Sequence, residues 1–157
     1  MVRILFVCTG NICRSPMAQG VFEDAARREG LADGITVDSA GTHGFYTAGE
    51  PPDPRAQESL LSRGIDISVQ RARLLDPEDC ERFDYILTMD EANYHTVSSL
   101  CLGGSVIKRF LDYAPGPETE VPDPYLGGTR GFQHALELIE EASEGLLREI
   151  RDQHPVG

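Results

Sequence analysis

The stretch VCTGNICRS, from Val7 to Ser15, sets a cysteine and an arginine six positions apart at the end of an apolar run. Cys8 is a potential nucleophile, and Arg14 is a planar cation with a two-pronged donor fork. Gly10 and Asn11 between them tolerate left-handed backbone angles. The run Thr9, Gly10, Asn11, Ile12, Cys13 can turn several backbone N–H groups inward as a nest for an anion. A helix starting directly after it adds its own unpaired N–H groups and the positive end of its dipole. Those surroundings also favour the thiolate of Cys8, and Ser15 is placed to donate a hydrogen bond to it. The chemistry open to this loop is attack by sulfur on a bound phosphate-like anion.

Two other readings use the same residues. Cys8 and Cys13 are a conceivable zinc pair, but a second close pair is missing, because Cys80 and Cys101 lie 21 positions apart. A nucleotide-binding loop needs Gly-Lys-Ser/Thr, which is absent. We therefore expect neither a metal nor a cofactor. Displacement of an oxygen leaving group by a thiolate also needs a proton donor. VPDPYLGG offers Asp123, held between two prolines. Taken alone, this Asp-Pro reads as a turn or helix start, the use the chain makes of DPRA and DPED.

The elements that position these residues follow from pattern. RILFVC reads as a strand buried on both faces. SPMAQGVFEDAARREG reads as a helix with Met17, Ala18, Val21, Phe22 and Ala25 on one face, Pro16 in its first turn and Gly30 at its end. GITVDSAGT is a second strand ending near Ser39. DPRAQESLLSRG is a helix with Asp53 as N-cap and Gly64 as its stop. DPEDCERF is a shorter helix of the same form. DYILTM and SVIKRF are strands three and four, with the helix EANYHTVSSL between them. After Phe110 comes a long Pro/Gly-rich segment without evident structure, the kind of loop that is uncommon unless functional or disordered. The closing helix, about 129–151, carries Phe132, Ala135, Leu136, Ile139, Leu146, Leu147 and Ile150 on one face. This alternation predicts an α/β fold: an open four-stranded parallel sheet with helices on both faces, a flavodoxin-like three-layer α/β/α sandwich. Ligands in such sheets sit beyond the carboxyl ends of the strands, where Cys8 falls.

The 157 residues fit one domain, with 40% hydrophobic and 25% charged residues. A formal net charge of −12 argues against nucleic acid or an anionic membrane as partner. An anion must then be bound by a local, preorganised site. The N-terminal apolar run is too short to span a membrane and lacks a small-residue cleavage site. The chain is therefore expected in the cytoplasm, with all four cysteines as free thiols and Cys80 and Cys101 as inert small side chains.

The blocks ILFVCTGNICRSPMAQ, VDSAGT, PPDPRA, FDYILTMDEAN and VPDPY together resemble the low-molecular-weight protein tyrosine phosphatases. They come in that family's order and at nearly its spacing. The resemblance implies a metal-independent phosphatase of phosphotyrosine in proteins or of aryl phosphates, inhibited by phosphate and other oxyanions. It implies that Cys8 forms a phosphocysteine, that Arg14 binds the phosphoryl oxygens, and that Asp123 protonates the leaving oxygen and then activates water. Asn11, Ser15 and Ser39 would hold the loop's shape. Cys13 would be a second thiol able to trap an oxidised Cys8 as a disulfide.

Some positions depart from the family's pattern. Gln19 stands where many members have Glu, and Gln70 where many have a His. THGFYTAGEPP is one residue longer than the common form, so the pocket wall falls to Phe45 or Tyr46, with Tyr125 opposite. Ile12, expected at the pocket mouth, stands where the arginine-phosphatase branch has a threonine. Its apolar surface suits a phenyl ring and leaves guanidinium N–H groups unpaired. Protein-arginine phosphatase is thus the second reading. A thiol-dependent arsenate reductase ranks lower, since it needs a further close cysteine pair. A dead phosphate-binding module would be expected to have lost Cys8 or Asp123.

Overall fold

The computed structural model describes residues 1–154. The first strand, β1 (Val2–Cys8), is buried everywhere but at Arg3 and Met1 precedes it exposed. It pairs in parallel with β2 (Ile35–Gly41) on one side and β3 (Tyr85–Thr88) on the other, and β4 (Val106–Arg109) joins β3. The sheet order is β2-β1-β3-β4, as expected of a parallel α/β sheet that grows outward in both directions from its first strand. β2 runs to Gly41, beyond the end near Ser39 read from sequence, because its register with β1 continues until Gly41 lies opposite Cys8.

The side chains of β1 alternate between two cores, as the period of a strand requires. Ile4, Phe6 and Cys8 face the core made with α1 (Arg14–Arg28), α2 (Pro54–Leu61) and α5 (Gly128–Gln153). Phe6 meets Phe22 and Phe110 edge-on, with centroids 6.0 and 4.8 Å away. Burying each such side chain is worth about 1.5–3 kcal/mol. Leu5 and Val7 face the second core, shared with Ile86, Val97, Cys80 and Cys101 beneath α3 (Asp79–Arg82) and α4 (Glu91–Leu100). The three-layer arrangement follows.

The expected apolar faces of α1 and α5 are buried in full. Asp53 caps α2 by accepting from the Arg55 N–H at 2.8 Å, and Gly64 stops it with φ 75°. α3 is a single turn, shorter than DPEDCERF suggested, because Asp76 spends its side chain on a turn with the Glu78 N–H. The segment after Phe110 is not structureless. It contains 3-10 turns at Phe110–Tyr113 and Pro124–Leu126, and the Val121 N–H donates to the Met89 carbonyl at 2.8 Å.

One expectation is overturned. Cys80 and Cys101 form a disulfide, with Cα atoms 5.3 Å apart. Their separation of 21 residues says little, because α3 and the C-terminal end of α4 pack on the same face of the sheet. Cys8 and Cys13 are free. Among the described residues no helix is long and apolar enough to cross a membrane.

Candidate active site

The turn between β1 and α1 is built by its carbonyls. Those of Cys8, Thr9, Gly10, Ile12 and Cys13 accept in turn from Thr42 N–H (2.9 Å), His43 N–H (2.9 Å), Thr47 Oγ1 (2.7 Å), Asp53 N–H (2.8 Å) and Met17 N–H (3.1 Å). Carbonyls engaged in this way leave the loop's N–H groups available to its inner side, the arrangement of a nest. The Asn11 N–H points at Cys8 Sγ, 3.3 Å away. Ser15 Oγ lies 3.0 Å from the same sulfur. Cys8 is 2% exposed.

Asn11 holds this shape from the inside. Its φ is 57°, the left-handed region that asparagine tolerates better than most residues. Its Nδ2 donates to Ser15 Oγ (2.8 Å) and Ser39 Oγ (2.9 Å), and its Oδ1 accepts from the Arg73 N–H (2.9 Å). Ser39 Oγ in turn donates a hydrogen bond to Gln19 Oε1 at 2.9 Å. Gln70 Nε2 reaches the Pro16 carbonyl at 3.2 Å. The two glutamines thus sit behind the loop and brace it as neutral donors and acceptors. Gly41 is required here: a Cβ would stand 2.7 Å from the Thr9 carbonyl oxygen.

Arg14 is 3% exposed. Its Nη1 donates to Asp90 Oδ2 (2.8 Å) and the Val121 carbonyl (3.0 Å), and its Nη2 to Thr9 Oγ1 (3.4 Å). Asp123 Oδ2 lies 3.9 Å from that Nη2. Burial alone would lower the affinity of Arg14 for its proton. The Cys8 charge and the Asp90 hydrogen bond outweigh burial and hold the guanidinium above its ordinary pKa. Asp123 holds a turn and also faces the loop. Its Oδ1 caps the Pro124–Leu126 turn by accepting from the Tyr125 N–H at 3.1 Å, while its other oxygen faces Arg14. Cys13 is buried, and burial followed by Asp53, Cys8 and Asp123 pushes its thiol up to about 12.

Sequence reasoning missed Asp90, Asn93, Arg73 and Thr47. Asp90 caps α4 in a reciprocal box with Asn93, and Asn93 Nδ2 also reaches Thr9 Oγ1 at 3.3 Å. The signal was there: Asp90 follows β3 as an N-cap, which puts it on the same sheet edge as Cys8. The substrate-pocket residues are less closely assembled. Ile12 is half-buried against the first core rather than standing free at a mouth. Tyr125 is 51% exposed, with the Arg55 guanidinium 5.3 Å from its centroid. Phe45 and Tyr46 are 76% and 95% exposed, so neither forms a finished wall. Both stand beside Thr47, whose hydroxyl is bonded to the loop, which accounts for their place but not for a closed pocket.

A family model for low molecular weight phosphotyrosine protein phosphatase matches residues 3–156. The chain belongs to that family. It is 41% identical to the low molecular weight protein-tyrosine-phosphatase YfkJ of Bacillus subtilis, over 98% of each chain. The crystal structure of YfkJ superposes with a TM-score of 0.92, covering 98% of this chain and 97% of the other. The human low molecular weight phosphotyrosine protein phosphatase is 38% identical over 83% of this chain and 84% of its own. A Drosophila arginine phosphatase is 30% identical, with a TM-score of 0.89 over 94% and 97% of the two chains. Membership makes this chain a protein-tyrosine phosphatase by family.

Proposed function

We propose that the chain hydrolyses phosphotyrosine in proteins through a phosphocysteine, without a metal and in the cytoplasm. The observation that carries this is Cys8 Sγ at the floor of the nest, within 3.3 Å of the Asn11 N–H and 3.0 Å of Ser15 Oγ, beside a buried Arg14. The Cys8 thiolate attacks phosphorus while the inward N–H groups and Arg14 take up charge on the equatorial oxygens. The P–O bond to the leaving group breaks, and Asp123 gives its proton to that oxygen. The carboxylate so formed removes a proton from water as the water attacks the phosphocysteine. Phosphate leaves, Ser15 donates to the departing thiolate, and Asp123 is protonated again.

Arginine phosphatases among the structural neighbours keep the second reading open to test. Ile12 speaks for the phenyl ring, since it offers no partner to a guanidinium. Arsenate reduction gains a close cysteine pair in Cys80 and Cys101, but that pair packs with Leu5 and Val7 on the face of the sheet away from Cys8. Direct exchange with a Cys8 adduct is closed to it.

The test measures kcat/KM on matched phosphotyrosine and phosphoarginine peptides, p-nitrophenyl phosphate and arsenate, with and without a chelator, and with Ile12→Thr alongside. Wild type should prefer phosphotyrosine and ignore the chelator, and Ile12→Thr should move toward phosphoarginine. A wild type that hydrolyses phosphoarginine better puts the second reading first.

A further inference from the structure

The Cys80–Cys101 bridge lies outside the mechanism, yet it is tied to both supports of the catalytic loop. Cys80 follows Asp79, whose side chain is completely buried. The Asp79 carboxylate accepts from Arg73 Nη1 (3.0 Å) and Nη2 (3.1 Å) and from the Asp76 N–H (2.8 Å). The Arg73 backbone N–H is the donor to Asn11 Oδ1, and the Asn11 N–H is the donor to Cys8 Sγ. On the other side of the bridge, Cys101 ends α4, whose N-cap Asp90 holds Arg14. One covalent link therefore joins the short helix behind Asn11 to the helix behind Arg14.

α3 is poorly held without the bridge. It is one turn long, too short for its own hydrogen bonds to stabilise it. Besides the Asp79 contacts, Ser105 Oγ donates to the Cys80 and Phe83 carbonyls at 2.8 and 2.6 Å. Arg73 has a second anchor in Asp38, through Nε and Nη2 at 3.1 and 3.0 Å. Loosening α3 should thus shift Arg73 rather than release it. Asn11 is sensitive to such a shift because its left-handed φ persists only where the surroundings over-determine it.

We propose that Asp79 and Arg73 are positioning residues for the catalytic loop, and that the Cys80–Cys101 disulfide sets their posture, so that activity falls when a dithiol reduces the bridge. The step balances. One thiolate of the reductant attacks a bridge sulfur, the Cys80–Cys101 bond breaks, and the other cysteine leaves as a thiolate that takes a proton. The second reductant thiol then displaces the mixed disulfide. Two electrons and two protons pass to the protein, and the reductant ends as its own disulfide. Cys80 and Cys101 are 8% and 5% exposed, and Cys101 is followed directly by exposed Leu102 and Gly103, where local opening would admit the reductant. The proposal rests on the Cys8 loop being the phosphate-handling site; vanadate affinity and amide exchange read that loop whatever the substrate.

The experiment compares the full chain with its bridge intact and after dithiothreitol, counting thiols by alkylation and mass: two free cysteines before, four after. Reduction should lower kcat/KM for p-nitrophenyl phosphate by at least about threefold, within the roughly 10²-fold that an ångström of misplacement can cost. Vanadate affinity should weaken in step, and amide exchange at Asn11 and Arg73 should speed up. A Cys80→Ala/Cys101→Ala variant should sit at the reduced level and ignore dithiothreitol. Arg73→Lys, which keeps a cation for Asp79, should stay closer to wild type than Arg73→Met, and Arg73→Met should lose the response. A lower melting temperature with activity, vanadate affinity and loop exchange unchanged overturns the proposal, since the bridge is then only a staple. A dithiothreitol response that survives in the double variant also overturns it, since Cys8 or Cys13 then carries the effect.

Discussion

Replacing Asp90 with Asn separates two jobs of one side chain. Asp90 Oδ1 caps α4 through the Asn93 N–H at 2.8 Å, and Oδ2 accepts from Arg14 Nη1 at 2.8 Å. Asparagine keeps an oxygen for the cap and loses the charge that faces the guanidinium. A hydrogen bond between charged groups contributes about 1.5–3 kcal/mol. At about 1.4 kcal/mol per decade, that corresponds to roughly 10- to 10²-fold in a rate or binding constant. Arg14 keeps the Val121 carbonyl at 3.0 Å, so the loss should fall near the lower end, about tenfold in kcat. Asp90→Ala removes the cap as well and should lower stability by about a further 1 kcal/mol. Steady-state kinetics on p-nitrophenyl phosphate and thermal melts of both variants test this. Asp90→Asn with wild-type kcat would refute the reasoning. So would activity losses that follow the melting temperatures of the two variants, since Asp90 would then serve only α4.

Asp123→Asn should slow phosphate esters of poor leaving groups by about 10²–10⁴-fold and matter much less for p-nitrophenyl phosphate. Equal slowing across leaving groups would assign Asp123 to its turn alone. Cys13 carries a pH prediction. Its thiol is raised from 9.0 to about 12 in the fold, so the unfolded chain ionises first. Its contribution is complete below pH 9 and is lost as pH rises toward 12, at up to about 1.4 kcal/mol per pH unit. Cys13→Ala should flatten alkaline unfolding curves in that window, and a variant with the wild-type slope would contradict the assignment.

The sheet and its helices were legible because they are written in local periodicity. β1 is an apolar run, α1 and α5 repeat apolar residues at helical spacing, and Pro54 and Gly64 punctuate α2. Cys8, Asn11, Arg14 and Ser15 were legible for the same reason, since one turn of chain contains them. The family resemblance named Asn11, Ser15 and Ser39 as supports of that turn, but not its partners Asp90 and Arg73. Arg14 meets Asp90 across 76 residues, and Asn11 meets Arg73 across 62. Such partners are chosen by strand order, and the order β2-β1-β3-β4 cannot be read from any one segment. The disulfide was missed for a different reason: the cysteines were read as free thiols from the expected compartment, whereas the fold brings Cys80 and Cys101 within 5.3 Å of each other at Cα. Phe45 and Tyr46 show the converse. Their type and place near the loop suggested a wall, but exposed rings gain no fixed position until something packs on them.

With a net charge of −12, the proposed phosphatase would have to bind its anion against its own field. Asp90 takes up the charge of Arg14 at 2.8 Å, so the side chains that meet Arg14 leave little net positive charge beside the loop. Side-chain charge alone would then do little to hold a phosphate dianion. The attraction has to come from oriented backbone N–H groups and the start of α1, which carry no compensating carboxylates and cost no reorganisation when the anion arrives. Arg14 is then less a source of bulk charge than a ruler. Its Nη1 is fixed to Asp90 and Val121, while its Nη2 faces Thr9 and Asp123. A planar fork holds these two directions at a constant angle, which a lysine ammonium on a flexible stem does not. In the proposed mechanism this would register the phosphoryl group to Cys8 and to the Asp123 carboxyl group.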